Sequence, residues 1–183
     1  MSKALYVTIA KASKEYNINP KFVYAVAMVE SGGKGFNTNE FPIVRFEKHV
    51  FKRYLKKLTN AQALLRKADA LKGCGYNTYL DALDIEPHYT MLSTSFGLFQ
   101  IMGFNHKLVG YDTVEEFVKA MTESIDNQVD AFFKFVTNRN LLTAINKKDF
   151  VKFAYSYNGP NYSENNYDVK LKKIYDDIKI IVG

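Results

Sequence analysis

The chain has 183 residues, and its 25 lysines and arginines outnumber 19 aspartates and glutamates, so the formal net charge is +6. This length, with 47% apolar residues, is typical of one domain or of one domain with a small lobe. A single cysteine, Cys74, excludes an intrachain disulfide and is typical of a protein folded in a reducing compartment. No segment approaches the roughly eighteen consecutive apolar residues of a membrane span, and no signal peptide is recognisable, so we expect no stable membrane insertion.

The apolar periodicity predicts a mainly helical chain. An amphipathic helix is predicted over residues 4–16, and Pro20 is well placed to begin a second helix. This second helix is apolar on almost every side up to Glu30, as expected of a buried helix. Residues 32–42 form a loop of small and polar residues, and residues 43–47 are the best strand candidate.

The remainder of the chain continues in the same pattern, with strand content limited to at most one small hairpin near residues 36–47. Helices are predicted over residues 48–58, 61–72, 79–92, 125–136 and 149–157, the third of them broken near Pro87. A further helix is predicted to begin at the capping box of Thr113. In the last predicted helix, one side carries Leu171, Ile174, Tyr175, Ile178 and Ile181.

Glu30 ends the second helix directly before the pair Gly32-Gly33, which supplies a left-handed helix terminus. Apolar surroundings and the negative end of the helix dipole both disfavour the carboxylate, so both should raise its pKa. A carboxylic acid still protonated near neutral pH can act as a general acid. This segment alone is equally compatible with a glutamate that turns out to solvent.

Two later segments carry polar groups typical of a ligand site. Ser95 and Gln100 lie in an apolar run, where a buried glutamine either bonds to backbone or faces a cleft and pairs with a sugar hydroxyl or acetamide. Tyr157 and Asn158 end a helix at the breaker Asn-Gly-Pro, and aromatic faces beside amides suit sugar rings. Buried tyrosines at a helix end explain the second segment equally well.

The motifs Glu-Ser-Gly-Gly, Gly-Leu-Phe-Gln-Ile and Tyr-Asn-Gly-Pro, in this order, resemble the lysozyme-like superfamily, and specifically the phage N-acetylmuramidase family of endolysins. The resemblance covers most of the chain from residue 21 onward. Single pieces are weak signals, whereas the set in its order and spacing is specific. The matching segments are residues 29–33, 43–51, 93–106, 128–132 and 157–170.

The resemblance implies a mainly α, lysozyme-like helical domain with at most a small β-hairpin. It implies one catalytic domain over residues 1–183 without a separate wall-binding domain. The implied activity is that of a bacteriophage host-lysis enzyme, a glycosidase that hydrolyses peptidoglycan between N-acetylmuramic acid and N-acetylglucosamine. Glu30 matches the family's catalytic glutamate. The expected partners are peptidoglycan glycan strands, which the enzyme would reach from the host cytoplasm after release.

A second carboxylate would stabilise the oxocarbenium-like transition state, act as nucleophile, or activate water. Glu47 is the first candidate, because a strand after the catalytic helix would cross the cleft floor, and Glu40 is the second. Glu47 could instead pair with Arg45 or Lys48. The residues expected to position substrate are Ser31, Ser95, Gln100, Tyr157 and Asn158.

Other chemistries find little support in the sequence. His49, His88 and His106 lie far apart and no cysteine pair exists, so we expect no metal and no cofactor. No nucleic-acid-binding motif is present, so nucleic acid is not an expected partner. We expect a monomer.

The segment from Arg45 to Lys57 contains six basic residues and one acid. Lys48, Lys52 and Lys56 are spaced four apart and therefore share one helix face. This face is either simply solvated or attracts a polyanion such as the cell wall.

Two other functions share the motifs of this chain. A lytic transglycosylase uses one glutamate and no water and gives 1,6-anhydro products. A non-catalytic cell-wall-binding module would bind peptidoglycan without cleaving it. Analysis of product masses separates the two enzymes, and a turbidity assay on peptidoglycan separates both from a binding module.

Overall fold

The computed structural model describes residues 2–179 and confirms a mainly helical fold with a small antiparallel sheet. Ile181, predicted on the last helix, lies outside the described residues. The α-helices are α1 (Lys3–Glu15), α2 (Pro20–Ser31), α3 (Lys48–Leu55), α4 (Ala61–Ala70), α5 (Tyr76–Leu83), α6 (Pro87–Leu92), α7 (Val114–Glu123), α8 (Ile125–Asn138), α9 (Leu142–Lys147), α10 (Phe150–Asn158) and α11 (Tyr167–Asp177). The strands are β1 (Val44–Phe46), β2 (Thr94–Phe96) and β3 (Ile101–Met102), and short 3₁₀ helices cover Gly103–Asn105, Lys107–Val109 and Pro160–Asn165.

Helix α2 lies in the centre of the main hydrophobic core. It begins at Pro20, as its sequence predicts, and the Asn19 side chain caps it by accepting a hydrogen bond from the Lys21 N–H. Every side chain from Phe22 to Ala27 is buried. The helix ends at Gly32, whose φ of 64° is left-handed. This arrangement places the end of α2, with Glu30, at the edge of a rigid core.

The sheet differs from the predicted hairpin. Strand β1 pairs antiparallel with β2, far along the chain, and β2 pairs with β3. Near residues 36–47, the described structure has a single bridge, between Phe36 and Pro42. Strands β2 and β3 were not predicted because all three residues of β2 are buried. A strand that is buried on both faces lacks the alternation that identifies strands in a sequence.

Two hydrophobic cores divide the described chain into a large and a small lobe. The small core lies among helices α3 to α6 and contains Phe46, Phe51, Leu55, Ala68, Leu71 and Ala82. The large core contains α2, α8 and the faces of α10 and α11 that pack against them. Strand β1 belongs to both, since Val44 packs in the large core and Phe46 in the small one. The sheet therefore joins the two lobes.

Two of the three lysines on the basic face of α3 make contacts within the protein. The Lys48 ammonium donates a hydrogen bond to the carbonyl of Leu71, and Lys52 pairs with Asp69 at 2.5 Å. Both contacts hold α3 against the C-terminal end of α4. Cations are favourable at this end of a helix because its last carbonyls are unpaired. Only Lys56 of the three is exposed.

No helix among residues 2–179 is long and apolar enough to cross a lipid bilayer.

Candidate active site

Glu30 lies in the last turn of α2 and is half-buried rather than turned out to solvent. Its Oε1 accepts a hydrogen bond of 2.5 Å from the hydroxyl of Tyr167, the first residue of α11. Burial raises the pKa of Glu30 from 4.5 to about 7. The Tyr167 hydrogen bond and the Arg45 guanidinium lower that pKa and only partly offset burial. The pKa is therefore raised, as the sequence predicts, and the largest cause is burial.

Tyr157, in the last turn of α10, is part of an aromatic wall beside Glu30. Its ring stacks on Phe153 with centroids 5.0 Å apart and on Tyr167 at 6.4 Å. Its hydroxyl donates a 2.7 Å hydrogen bond to the carbonyl of Phe99. Burial, and secondarily the neighbouring Glu30 carboxyl, hold the pKa of Tyr157 well above its usual range. Tyr157 therefore packs beside the acid as a neutral group.

Gln100 bonds to backbone, which is the first of the two alternatives its sequence left open. Its backbone is left-handed, with φ of 49°, and its Nε2 donates to the carbonyls of Ile43 and Gly97 at 3.0 and 2.8 Å. Its Oε1 accepts from the Ser95 hydroxyl at 2.9 Å. The amide and the hydroxyl together join the start of β1 to the turn between β2 and β3.

Ser31 holds the same turn from the other side. Its hydroxyl lies 2.9 Å from the carbonyl oxygen of Leu98 and 3.1 Å from that of Ala27. The end of α2 is thereby attached to the turn between β2 and β3. The predicted residues Ser31, Ser95 and Gln100 thus lie close together, and their polar atoms bond to this turn.

Gln128 supports this region from beneath, although the sequence analysis did not assign it to the site. It is buried in α8, and its Oε1 accepts from the Leu98 N–H at 2.8 Å. Its Nε2 donates to the carbonyls of Met121 and Gly35 at 2.9 and 3.3 Å. A Cβ on Gly97 would meet its amide carbon at 2.6 Å, so the packing leaves no space. The sequence did contain a signal, since Gln128 shares a helix face with the buried residues Ala131, Phe132 and Phe135.

Glu47 follows β1 directly and lies at the start of α3. Its Oε1 accepts from the Arg45 Nε at 2.9 Å, and its Oε2 lies 3.5 Å from the His49 Nδ1. The pairing with Arg45 that the sequence suggested is therefore present. Lys48 makes no such pair and bonds to Leu71 instead.

Two predicted residues are exposed. Asn158 ends α10 at the surface, and Glu40 lies in the loop before β1 with a left-handed φ of 57°. Neither side chain has a hydrogen-bond partner among residues 2–179. Within the same residues, no three His, Cys, Asp or Glu side chains cluster as metal ligands would.

Arg45 is a second residue that the sequence analysis did not assign to the site. It stands opposite Ser95 in the sheet, and Ser95 stands opposite Met102. Residues directly opposite in antiparallel strands have side chains on the same face. Arg45, Ser95 and Met102 therefore form a row across one face of the sheet, and the guanidinium is close enough to Glu30 to lower its pKa.

Replacing Tyr167 with phenylalanine is expected to raise the pKa of Glu30 further, because the hydrogen bond that lowers this pKa is lost. A general acid must be protonated, so activity falls as pH rises through its pKa. The alkaline limb of the pH profile of kcat/KM should move to higher pH in Tyr167→Phe. The exposed Tyr155 provides the control, since Tyr155→Phe should leave the limb in place. A limb that stays or moves to lower pH would contradict the role of the Tyr167 hydroxyl.

Comparisons with known proteins identify the family of this chain. The family model of the N-acetylmuramidases matches residues 19–179. The crystal structure of Burkholderia AP3 phage endolysin is similar, with a TM-score of 0.77 and 36% sequence identity over 93% of this chain and 70% of that chain. No curated protein sequence gives a significant match. The resemblance seen in the motifs is thereby confirmed, and the chain belongs to the N-acetylmuramidase family.

Proposed function

We propose that this chain is a peptidoglycan-degrading endolysin that hydrolyses the bond between N-acetylmuramic acid and N-acetylglucosamine, with Glu30 as general acid. As a member of the N-acetylmuramidase family, the chain is a glycoside hydrolase. The observation that carries the assignment of Glu30 is its carboxyl, half-buried at the end of α2, with a pKa of about 7. Such a carboxyl holds a proton near neutral pH and can release it in the reaction.

The hydrogen bond from Tyr167 gives the two oxygens of Glu30 different tasks. Oε1 accepts a hydrogen bond from the phenol, which leaves Oε2 to carry the acidic proton and give it to the leaving glycosidic oxygen. After this transfer Glu30 is a carboxylate, and the same phenol donates to it. Tyr167 thus stabilises the product state of the proton transfer, and the surrounding aromatic rings limit the access of water.

We propose Glu47 rather than Glu40 as the second carboxylate. Glu47 lies next to the strand that carries Arg45, which donates a hydrogen bond to its Oε1, and His49 lies 3.5 Å from its Oε2. A fixed carboxylate can stabilise positive charge on the sugar ring or activate a water. Glu40 is exposed, and no residue of the described chain holds its carboxylate.

The other predicted site residues divide into two groups under this proposal. Ser31, Ser95 and Gln100 shape the turn between β2 and β3, and act on the substrate through that backbone. Asn158 has a free, exposed amide beside Tyr157 and is the group we expect to contact the substrate directly. The enzyme acts on the bacterial cell wall after release from the host cytoplasm.

Product masses test the reaction type. A hydrolase adds water and leaves ordinary reducing ends, whereas a transglycosylase closes the muramic acid ring internally and leaves 1,6-anhydro ends, which are lighter by one water. Because Glu47 is available as a second carboxylate, we expect ordinary reducing ends when digested peptidoglycan is analysed by mass spectrometry. Anhydro ends as the main product would contradict hydrolysis. Binding to peptidoglycan with no released product at all would indicate a binding module.

A further inference from the structure

Arg45 presents an unused set of hydrogen-bond donors beside the proposed catalytic acid. It is the middle residue of β1, an edge strand, and its side chain is 67% exposed. Its backbone neighbours Val44 and Phe46 point into the two cores. Since side chains alternate along a strand, the guanidinium is directed to the opposite, open face of the sheet.

The guanidinium is held on one side only. Its Nε donates to Glu47 Oε1 at 2.9 Å, whereas its two Nη groups donate to no residue between 2 and 179. Glu47 therefore fixes the plane of the guanidinium and leaves the outer edge of the fork open. A planar guanidinium with a free pair of N–H donors matches the geometry of a carboxylate better than any other side chain does.

The position of the Arg45 guanidinium relative to Glu30 determines which part of a bound substrate can contact the guanidinium. Arg45 stands opposite Ser95, whose hydroxyl bonds to Gln100, and the turn that contains Gln100 is attached through the Leu98 carbonyl to Ser31, next to Glu30. The guanidinium and the Glu30 carboxyl therefore flank the same turn, and the Arg45 charge lowers the pKa of Glu30, as expected of nearby groups. The other side chains of the row across the sheet, Ser95 and Met102, carry no charge. A substrate whose glycosidic oxygen lies at Glu30 can therefore present its neighbouring substituents to Arg45, the charged side chain of this row.

We propose that the Nη fork of Arg45 is a carboxylate-binding subsite that holds the muramic acid side of the glycan while the scissile oxygen lies at Glu30. This inference rests on the proposed function. Muramic acid carries a lactyl group, and N-acetylglucosamine does not. The carboxylate comes either from a free lactyl group or from the stem peptide that is amide-linked to it. In both cases the subsite distinguishes the two sugars and sets the direction of the strand in the cleft.

Binding measurements test the subsite apart from catalysis. In the Glu30→Gln background, the dissociation constant is measured by calorimetry for soluble peptidoglycan strands, for strands stripped of peptide by an amidase, and for stripped strands with methyl-esterified lactyl groups. Arg45→Gln should weaken binding about tenfold or more, since hydrogen bonds to charged groups are the stronger kind. Arg45→Lys should restore part of the loss. Arg53→Gln, another exposed arginine, is the control and should bind as the parent does.

The three substrates identify the source of the carboxylate. An effect of Arg45→Gln on peptide-bearing strands alone assigns the stem peptide. An effect confined to stripped strands, and lost when they are esterified, assigns the free lactyl group. An effect on both peptide-bearing and stripped strands, again lost on esterification, shows that the fork accepts either carboxylate. Equal binding of parent and Arg45→Gln on all three substrates, or an equal loss on all three, would overturn the subsite. Failure of the proposed function would instead appear as an enzyme with native Glu30 that releases no product, whatever the binding results.

Discussion

Replacing Glu30 with glutamine is expected to lower the rate of peptidoglycan hydrolysis by about 10²–10⁴-fold, the usual contribution of general acid catalysis. Glutamine keeps the shape of the side chain and can still accept the Tyr167 hydrogen bond, but it cannot supply a proton to the leaving oxygen. The rate is measured as release of reducing ends from purified peptidoglycan. Retention of half the activity would contradict the assignment of Glu30.

The folded state of this variant can be checked through its pH dependence. In the wild type the pKa of Glu30 rises from 4.5 unfolded to about 7 folded, so between these values the folded state binds the extra proton. Stability from this group is therefore lost as pH rises from 4.5 to 7, by at most about 3.5 kcal/mol at roughly 1.4 kcal/mol per pKa unit. Glu30→Gln lacks this loss and should be at least as stable as the wild type above pH 7. Glu15→Gln, at the exposed end of α1, should change neither activity nor stability.

Replacing Gln128 with leucine is expected to lower the free energy of unfolding by about 2–6 kcal/mol, since two buried polar groups are left unpaired and each costs roughly 1–3 kcal/mol. The Leu98 N–H and the Met121 carbonyl lose the partner that Gln128 provides. Gly35 keeps a hydrogen bond from the Ile43 N–H. Urea denaturation, with equal slopes for both proteins, measures the difference.

Gln128→Leu should also lose activity at temperatures where it remains folded, because the turn at Leu98 is no longer fixed below Glu30 and Ser31. Gln62→Leu is the matched control, since Gln62 is an exposed glutamine of α4, and its stability should stay within about 0.5 kcal/mol of the wild type. A loss at Gln128 no larger than that at Gln62 would contradict a supporting role for this buried amide.

The parts of this molecule that the sequence predicts are those set by near neighbours. Pro20 at the start of α2 and the left-handed Gly32 at its end are local features and are found where expected. The capping box at Thr113 and Glu116 is likewise present at the start of α7. Local hydrogen bonding and helix periodicity are sufficient to specify such elements.

The parts that the sequence does not predict depend on contacts between distant segments. The hydroxyl of Tyr167 meets Glu30 across 137 positions of the chain, and no local pattern around either residue indicates this bond. The role of Gln100 depends on the carbonyl of Ile43, which reaches it only through the pairing of β1 with β2. The sequence shows that Arg45 is charged, and for that reason it was grouped with the basic segment. The sequence does not show to which face of the sheet its side chain points.

The position of β1 between two cores has a mechanical consequence. Glu30 is fixed to the large lobe through α2 and Tyr167, whereas Glu47 begins α3 of the small lobe and holds the guanidinium of Arg45. The strand that joins the lobes is only three residues long. Any rocking of one lobe on the other therefore changes the separation of the guanidinium and the carboxyl. Because the Arg45 charge lowers the pKa of Glu30, a larger separation would raise the pKa of the proposed proton donor.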